Sequence, residues 1–266
     1  MTARTALCAL GLFLAPATAH AQLRDLCPER PGLDTPPCIV DKRHIQIETG
    51  LADWTRDRDP SQSTTTLSLG DTELRYGITD TTEIRASWTA FTRQSVHDRI
   101  SGDRNHATGV GDLGLSIKHA LLNPDGSGFS LAFAPGVILP TGSHGIGDGT
   151  WSASVLLPIS YELSDHLSLI ATPEIDAQAD EDGHGRHLAY GSAAGLSADL
   201  SDRLNASLEM QMIRDRDPDG ATTQTLGSFS LAFQPGAAWM VDAGTNIGLN
   251  HASPDAELYI GLSRRF

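Results

Sequence analysis

The residues of this chain that could do chemistry fall into three groups, separated by their spacing. The first is a set of charges recurring on one parity of long alternating segments. Its acids are Glu48, Glu83, Asp112, Glu162 and Glu174, followed by Asp176, Asp199, Glu209, Asp242 and Glu257. Its bases are Arg85, Arg93, Lys118 and Arg265. Charges on one face of alternating segments can hydrate an interior, favour cations over anions, or cross-link facing walls as acid–base pairs. The second group sits in polar connections. Glu181-Asp-Gly-His-Gly-Arg-His187 offers two imidazoles, His184 and His187, with two carboxylates, a donor set that suits a transition metal. A plain polar loop accounts for the same residues and is the preferred reading, so no metal or other cofactor is expected. Asp215-x-Asp217-x-Asp219-Gly220 has the first half of a calcium loop, but Leu226 stands where a bidentate glutamate is required. A turn explains it. The third group is Ser192 with His187, a nucleophile and base for a lipid hydrolase. Neither has an orienting Asn or Asp on its own face.

The elements that carry these residues read as strands. Asp255–Phe266 puts Ala256, Leu258, Ile260, Leu262 and Phe266 on one face and Glu257, Tyr259, Gly261, Ser263 and Arg265 on the other. Arg203–Ile213 and Leu167–Gln178 alternate in the same way, and no apolar stripe at three- and four-residue spacing appears. Turn residues divide the chain into twelve candidate strands: 44–54, 63–77, 82–94, 111–122, 128–140, 150–163, 167–178, 187–200, 203–213, 222–233, 237–249 and 255–266. Most are ten or more residues long, whereas strands of water-soluble domains run ~5–6 and tilted membrane strands ~9–11. In strand 63–77 the parity breaks, and a bulge near Gly70 would restore it.

The connections alternate in length. Those after strands two, four, six, eight and ten are short, as in Ser164-Asp-His166 and Ser201-Asp202, and the others are longer and more charged. This predicts an all-β, transmembrane, antiparallel up-and-down barrel of about 12 strands, with short periplasmic turns and longer extracellular loops. The apolar face meets lipid, and the charged parity lines the lumen.

Ahead of the barrel, Arg4, the apolar run 6–15 and Ala19-His20-Ala21 have the order of a secretory signal peptide over residues 1–21. Residues 22–43 then form a periplasmic N-terminal segment, and the barrel takes 44–266. Cys8 leaves with the signal. Cys27 and Cys38 remain in a Pro-rich stretch of an exported chain, where a disulfide between them is expected.

At Gly109-Val-Gly-Asp-Leu-Gly-Leu-Ser-Ile-Lys-His119 the chain resembles the outer-membrane transporter family catalogued as "MetA-pathway of phenol degradation". The matching pieces are Gly109–Asp112, Pro140-Thr-Gly142, the Gly-rich 145–149, the repeated L-S-D-x-L turns and the P-D-A-E-L-Y-I-G ending. These motifs are turns and strand patterns without catalytic content. The resemblance implies a barrel that passes small solutes, aromatic or hydrophobic ones among them. It does not account for the Cys27–Cys38 segment.

The charge balance fits this placement. Net charge is −14, with 19 basic and 33 acidic residues, which excludes general nucleic-acid binding. The expected location is the outer membrane of a Gram-negative cell, with lipid, lipopolysaccharide and a small solute as partners. The barrel-assembly machinery would read the final strand ending in Phe266. The expected activity is passage of solute, without catalysis. The alternatives are a non-conducting structural barrel and the Ser192/His187 hydrolase.

Overall fold

The computed structural model describes residues 23–183 and 185–266; the expected signal segment 1–21 and His184 lie outside the described residues. The strands are β1 (Ile45–Arg58), β2 (Gln62–Gly77), β3 (Thr82–Asp98), β4 (Arg104–Gly109), β5 (Leu113–Leu122), β6 (Phe129–Leu139) and β7 (Ser152–Leu156). They continue with β8 (Ile159–Ser164), β9 (Leu167–Ala179), β10 (Arg186–Ser201), β11 (Leu204–Asp215), β12 (Thr223–Gly236), β13 (Trp239–Gly248) and β14 (Ala256–Arg265). Every pairing between them is antiparallel, and β14 returns to pair with β1.

Fourteen strands make twelve staves. β4 lies against Thr92–His97 of β3 and β5 against Thr82–Ser87, so the two share one position in the wall. β7 and β8 likewise share the neighbours β6 and β9. The result is a closed twelve-stranded barrel, in which β14 pairs back onto β1 and β4 is paired on one side only, with β3.

Both breaks differ from the sequence reading. β4 falls within what reads as a long loop, because Arg104-Asn-His106 has no apolar alternation. The single strand expected over 150–163 is interrupted at Leu157-Pro158. Proline has no N–H to give the ladder; here the Pro158 carbonyl accepts from Ala132 N–H, and Leu157 N–H turns to Pro173 O.

The burial pattern is inverted relative to a water-soluble protein. The largest side chains under 2 % exposed include Arg75, Lys118, Gln46, Glu48, Glu83 and Asp242. Ile84, Ile117, Phe133, Ile175, Leu208 and Ile260 are exposed on the outer face. Apolar exteriors over polar interiors are stable only when hydrocarbon surrounds them. In β2 and β3 the inward parity changes across Gly70, whose φ is +68°. Ser68 and buried Thr92 share an inward hydrogen bond above it, and Glu73, Arg75, Glu83 and Arg85 face inward below. Glycine takes that left-handed conformation without the Cβ clash.

Residues 23–43 run without strand or helix along the lumen at the short-turn end. The sequence reading put this segment in the periplasm. Its hydrogen bonds instead reach inward side chains of β1, β3, β9 and β11, so it enters the lumen from that side. The Cys27–Cys38 disulfide closes its middle into a loop.

Candidate functional site

An irregular segment inside a barrel must find a partner for each buried N–H, because it has no ladder of its own. Wall side chains supply those partners. Glu48 Oε2 accepts from Arg30 N–H at 3.1 Å and Glu83 Oε2 from Val40 N–H at 2.7 Å. Glu209 Oε2 accepts from both Leu33 and Asp34 N–H, at 2.7 and 2.8 Å. Thr172 Oγ1 accepts from Thr35 N–H at 2.9 Å and donates back to Thr35 O at 3.1 Å. Tyr259 Oη accepts from Gly32 N–H at 3.1 Å. Gly32 has φ +113°, and a Cβ there would stand 2.2 Å from Glu209 Oε1, so only glycine fits.

The side chains of the segment complete a charge network. Arg75 is its centre: Nε lies 2.9 Å from Glu83 Oε1, Nη1 2.9 Å from Glu48 Oε1, and Nη2 3.4 Å from Glu29 Oε1. The same guanidinium donates to Cys27 O at 2.8 Å and Cys38 O at 3.2 Å, gripping both ends of the disulfide loop. Glu29 also bonds Lys118 Nζ and lies 3.0 Å from Arg85 Nη1. Arg30 reaches the other side, where Nη2 stands 3.2 Å from Asp242 Oδ1 and the guanidinium lies 5.3 Å from the Tyr259 ring centroid. Burial raises the Glu29 pKa, but the opposing charges of Lys118, Arg85 and Arg75 outweigh it and hold the carboxyl below its usual range. Asp34 shows the reverse: burial first, then the charges of Glu209 and Glu29, push its carboxyl up to about 8.

Beside the segment is a cavity of about 810 Å³. Asp25, Glu29 and Asp34 line it from the segment, and Asp199, Asn205 and Ser207 from the wall. Apolar side chains, Leu26, Ile170, Leu204 and Met240 among them, complete its lining.

The structure distributes the sequence candidates unevenly. Glu48, Glu83, Arg85, Lys118, Glu209, Asp242 and Arg265 meet at the segment; Arg265 Nη1 bonds Arg24 O and lies 3.4 Å from Asp41. Glu174 accepts from Gln211 across the inner face, Asp176 is half-buried two residues along the same face, and Glu257 accepts from Asn246. Glu162 and Asp199 are exposed near the short turns. Arg93 is exposed on the outward parity of Phe91, beside buried Thr92, because the inward parity has changed. Asp112 anchors a loop: its carboxylate accepts from Gly142 N–H at 2.6 Å and Asp148 N–H at 2.8 Å, folding 141–149 over the β4–β5 break.

Ser192 and His187 do not meet. Five residues apart on β10, they point to opposite faces and are separated by roughly 17 Å along the strand. Ser192 Oγ donates to Ala193 O, while His187 is held by Asp180 and Asp217. Sequence reasoning missed Arg75, Glu29 and Arg30. Arg75 shares the parity of Glu73, a signal masked by the change at Gly70; the other two are an acid and a base adjacent in sequence inside the Cys27–Cys38 loop.

The family described as "Putative MetA-pathway of phenol degradation" matches residues 29–266. No curated protein matches the chain. Among solved structures, the COG4313 outer membrane channel from Pseudomonas putida F1 superposes with a TM-score of 0.69 at 14% identity, over 89% of this chain and 100% of that one. The NanC porin gives 0.51 at 10% identity, over 83% and 98%. The transport unit of the autotransporter AIDA-I from Escherichia coli gives 0.51 at 11% identity, over 96% and 94%. All three share the barrel fold.

Proposed function

Because the chain belongs to the MetA-pathway of phenol degradation family, whose match spans residues 29–266, we propose that it is an outer-membrane channel for small solutes, aromatic or hydrophobic ones among them. The observation that carries this is the closed barrel with an apolar outside, a charged inside and a cavity of about 810 Å³ beside a non-wall segment. Solute enters through the long-loop mouth, and the N-terminal segment sets the aperture at the short-turn end. Glu174 and Asp176, which have no ion-pair partner among the described residues, favour cations over anions in the upper half of the inner face. Lipid and lipopolysaccharide cover the outer face, and the barrel-assembly machinery reads the last strand. Phe266 suits that role, with its ring exposed and its backbone paired to Ile45.

Liposome swelling with neutral, cationic, anionic and aromatic solutes of graded size tests the proposal. Uptake of small solutes, cations ahead of anions, is expected. Uptake of none, by the intact chain or by the chain lacking residues 23–40, would leave a structural barrel.

A further inference from the structure

At the long-loop end, the β9–β10 and β11–β12 connections meet over one imidazole. His187 is the second residue of β10, and its side chain is 6% exposed. Its Nδ1 lies 3.0 Å from Asp180 Oδ1 and 3.3 Å from Asp217 Oδ2. Its Nε2 lies 3.1 Å from Asp215 Oδ1, off hydrogen-bond geometry, and among the described residues it has no hydrogen-bond partner. A buried polar atom left in this way costs free energy that the fold must recover elsewhere.

The surrounding charge is one-sided. Even a protonated imidazole offers one positive charge to the three carboxylates that touch it. Two of the neighbouring guanidinium groups are engaged elsewhere, and the Arg216 side chain is exposed. Arg186 lies 4.3 Å from the Trp151 ring centroid and donates to Thr150 Oγ1, while Arg214 donates to Thr223 Oγ1. The ligand atoms of Asp180, His187 and Asp217 lie within 4.8 Å of one another, and so do those of Glu181, Asp217 and Asp219. Asp217 belongs to both sets.

We propose that His187 Nδ1, Asp180 and Asp217 bind one divalent transition cation, of which Zn²⁺ is the probe. Bound metal would replace the proton at Nδ1, and Nε2–H would turn toward Asp215. That arrangement, with a carboxylate orienting the ring through its second nitrogen, is the common support of metal-bound histidine. One imidazole with carboxylates suits Zn²⁺ or Mn²⁺, whereas Ca²⁺ prefers an all-oxygen shell. Bound there, the cation ties two neighbouring extracellular loops together at the rim.

The test is calorimetric titration of the full chain in detergent micelles, stripped with chelator, using zinc chloride and then calcium chloride. Fluorescence of Trp151, stacked on the residue before His187, provides a second readout. One Zn²⁺ per chain is expected, with Ca²⁺ bound far more weakly and Zn²⁺ binding lost as the imidazole protonates at lower pH. Asp215→Asn should weaken Zn²⁺ roughly ten- to a hundredfold, and His187→Ala or Asp217→Asn should weaken it further. Each variant is first checked for a folded barrel by heat-modifiable gel mobility, and a misfolded His187→Ala is replaced by His187→Gln. Absence of saturable Zn²⁺ binding, binding untouched by loss of His187, or Ca²⁺ bound as tightly as Zn²⁺ would overturn the proposal.

Discussion

Arg30 and Asp242 stand 3.2 Å apart across the lumen, joining residues 212 positions apart in the chain. Asp242 is fully buried, and Arg30 of the N-terminal segment is its ion-pair partner among the described residues, so the guanidinium neutralises a charge of the wall. The segment is therefore an ionic part of the interior.

Removing one member of such a pair exposes its value. Arg30→Ala leaves Asp242 buried without its cation, a change that costs about 3–5 kcal/mol when the pair is fully desolvated and less where water reaches it. Asp242→Asn, with Arg30 kept, should cost less. Protease accessibility of residues 23–43 in folded barrels checks the order: Arg30→Ala cleaved fastest, then Asp242→Asn, then the parent.

Arg75 serves the barrel as well as the segment, since Glu48 and Glu83 both face it. Arg75→Met should therefore lower the thermal midpoint of the whole barrel, and Arg75→Lys should rescue only partly. An ammonium cannot reproduce the forked contacts to three carboxylates and two carbonyls. The readout is the gel-shift melting curve.

The disulfide closes a loop between residues 11 apart in sequence, worth up to about 3 kcal/mol by limiting the freedom of the undocked segment. Cys27→Ser with Cys38→Ser, or reduction of the parent, should raise single-channel conductance or its noise. An unchanged trace in reduced protein would contradict this.

Docking should also depend on pH through Asp34. Its carboxyl titrates near 8 when docked against Glu209 and Glu29, above the ordinary value of 3.8. A raised acid pKa favours the docked state fully only below the free value, and that stability is lost as pH rises toward about 8. Glu29 has the opposite sign: held low by Lys118, Arg85 and Arg75, it contributes above its ordinary pKa and weakens docking as pH falls below it. Conductance should be lowest in mildly acidic buffer and higher at about pH 9, roughly one unit above the Asp34 titration. Asp34→Asn should remove the alkaline rise.

Much of the wall was legible because period-two alternation and loop rhythm are physical requirements of a barrel in lipid. The Leu204–Asp215 and Ala256–Arg265 strands show both faces without interruption, so Glu209 and Arg265 could be placed from sequence. Arg93 and Arg75 could not, because the backbone at Gly70 exchanges faces and the inward parity of β2 and β3 differs on its two sides. The N-terminal segment has no period at all; its order comes from wall carboxylates matched to its amides, a tertiary relation. The break at Pro158 was marked by the proline itself, yet the flanking alternation concealed it.

The central claim is that the N-terminal segment limits passage through a conducting barrel. It is tested most directly by single-channel recording in planar bilayers, comparing the parent with the chain lacking residues 23–40. The account predicts small, cation-preferring openings in the parent and severalfold larger, quieter ones in the truncated barrel. Equal conductance in the two folded proteins, or none in either, would contradict it.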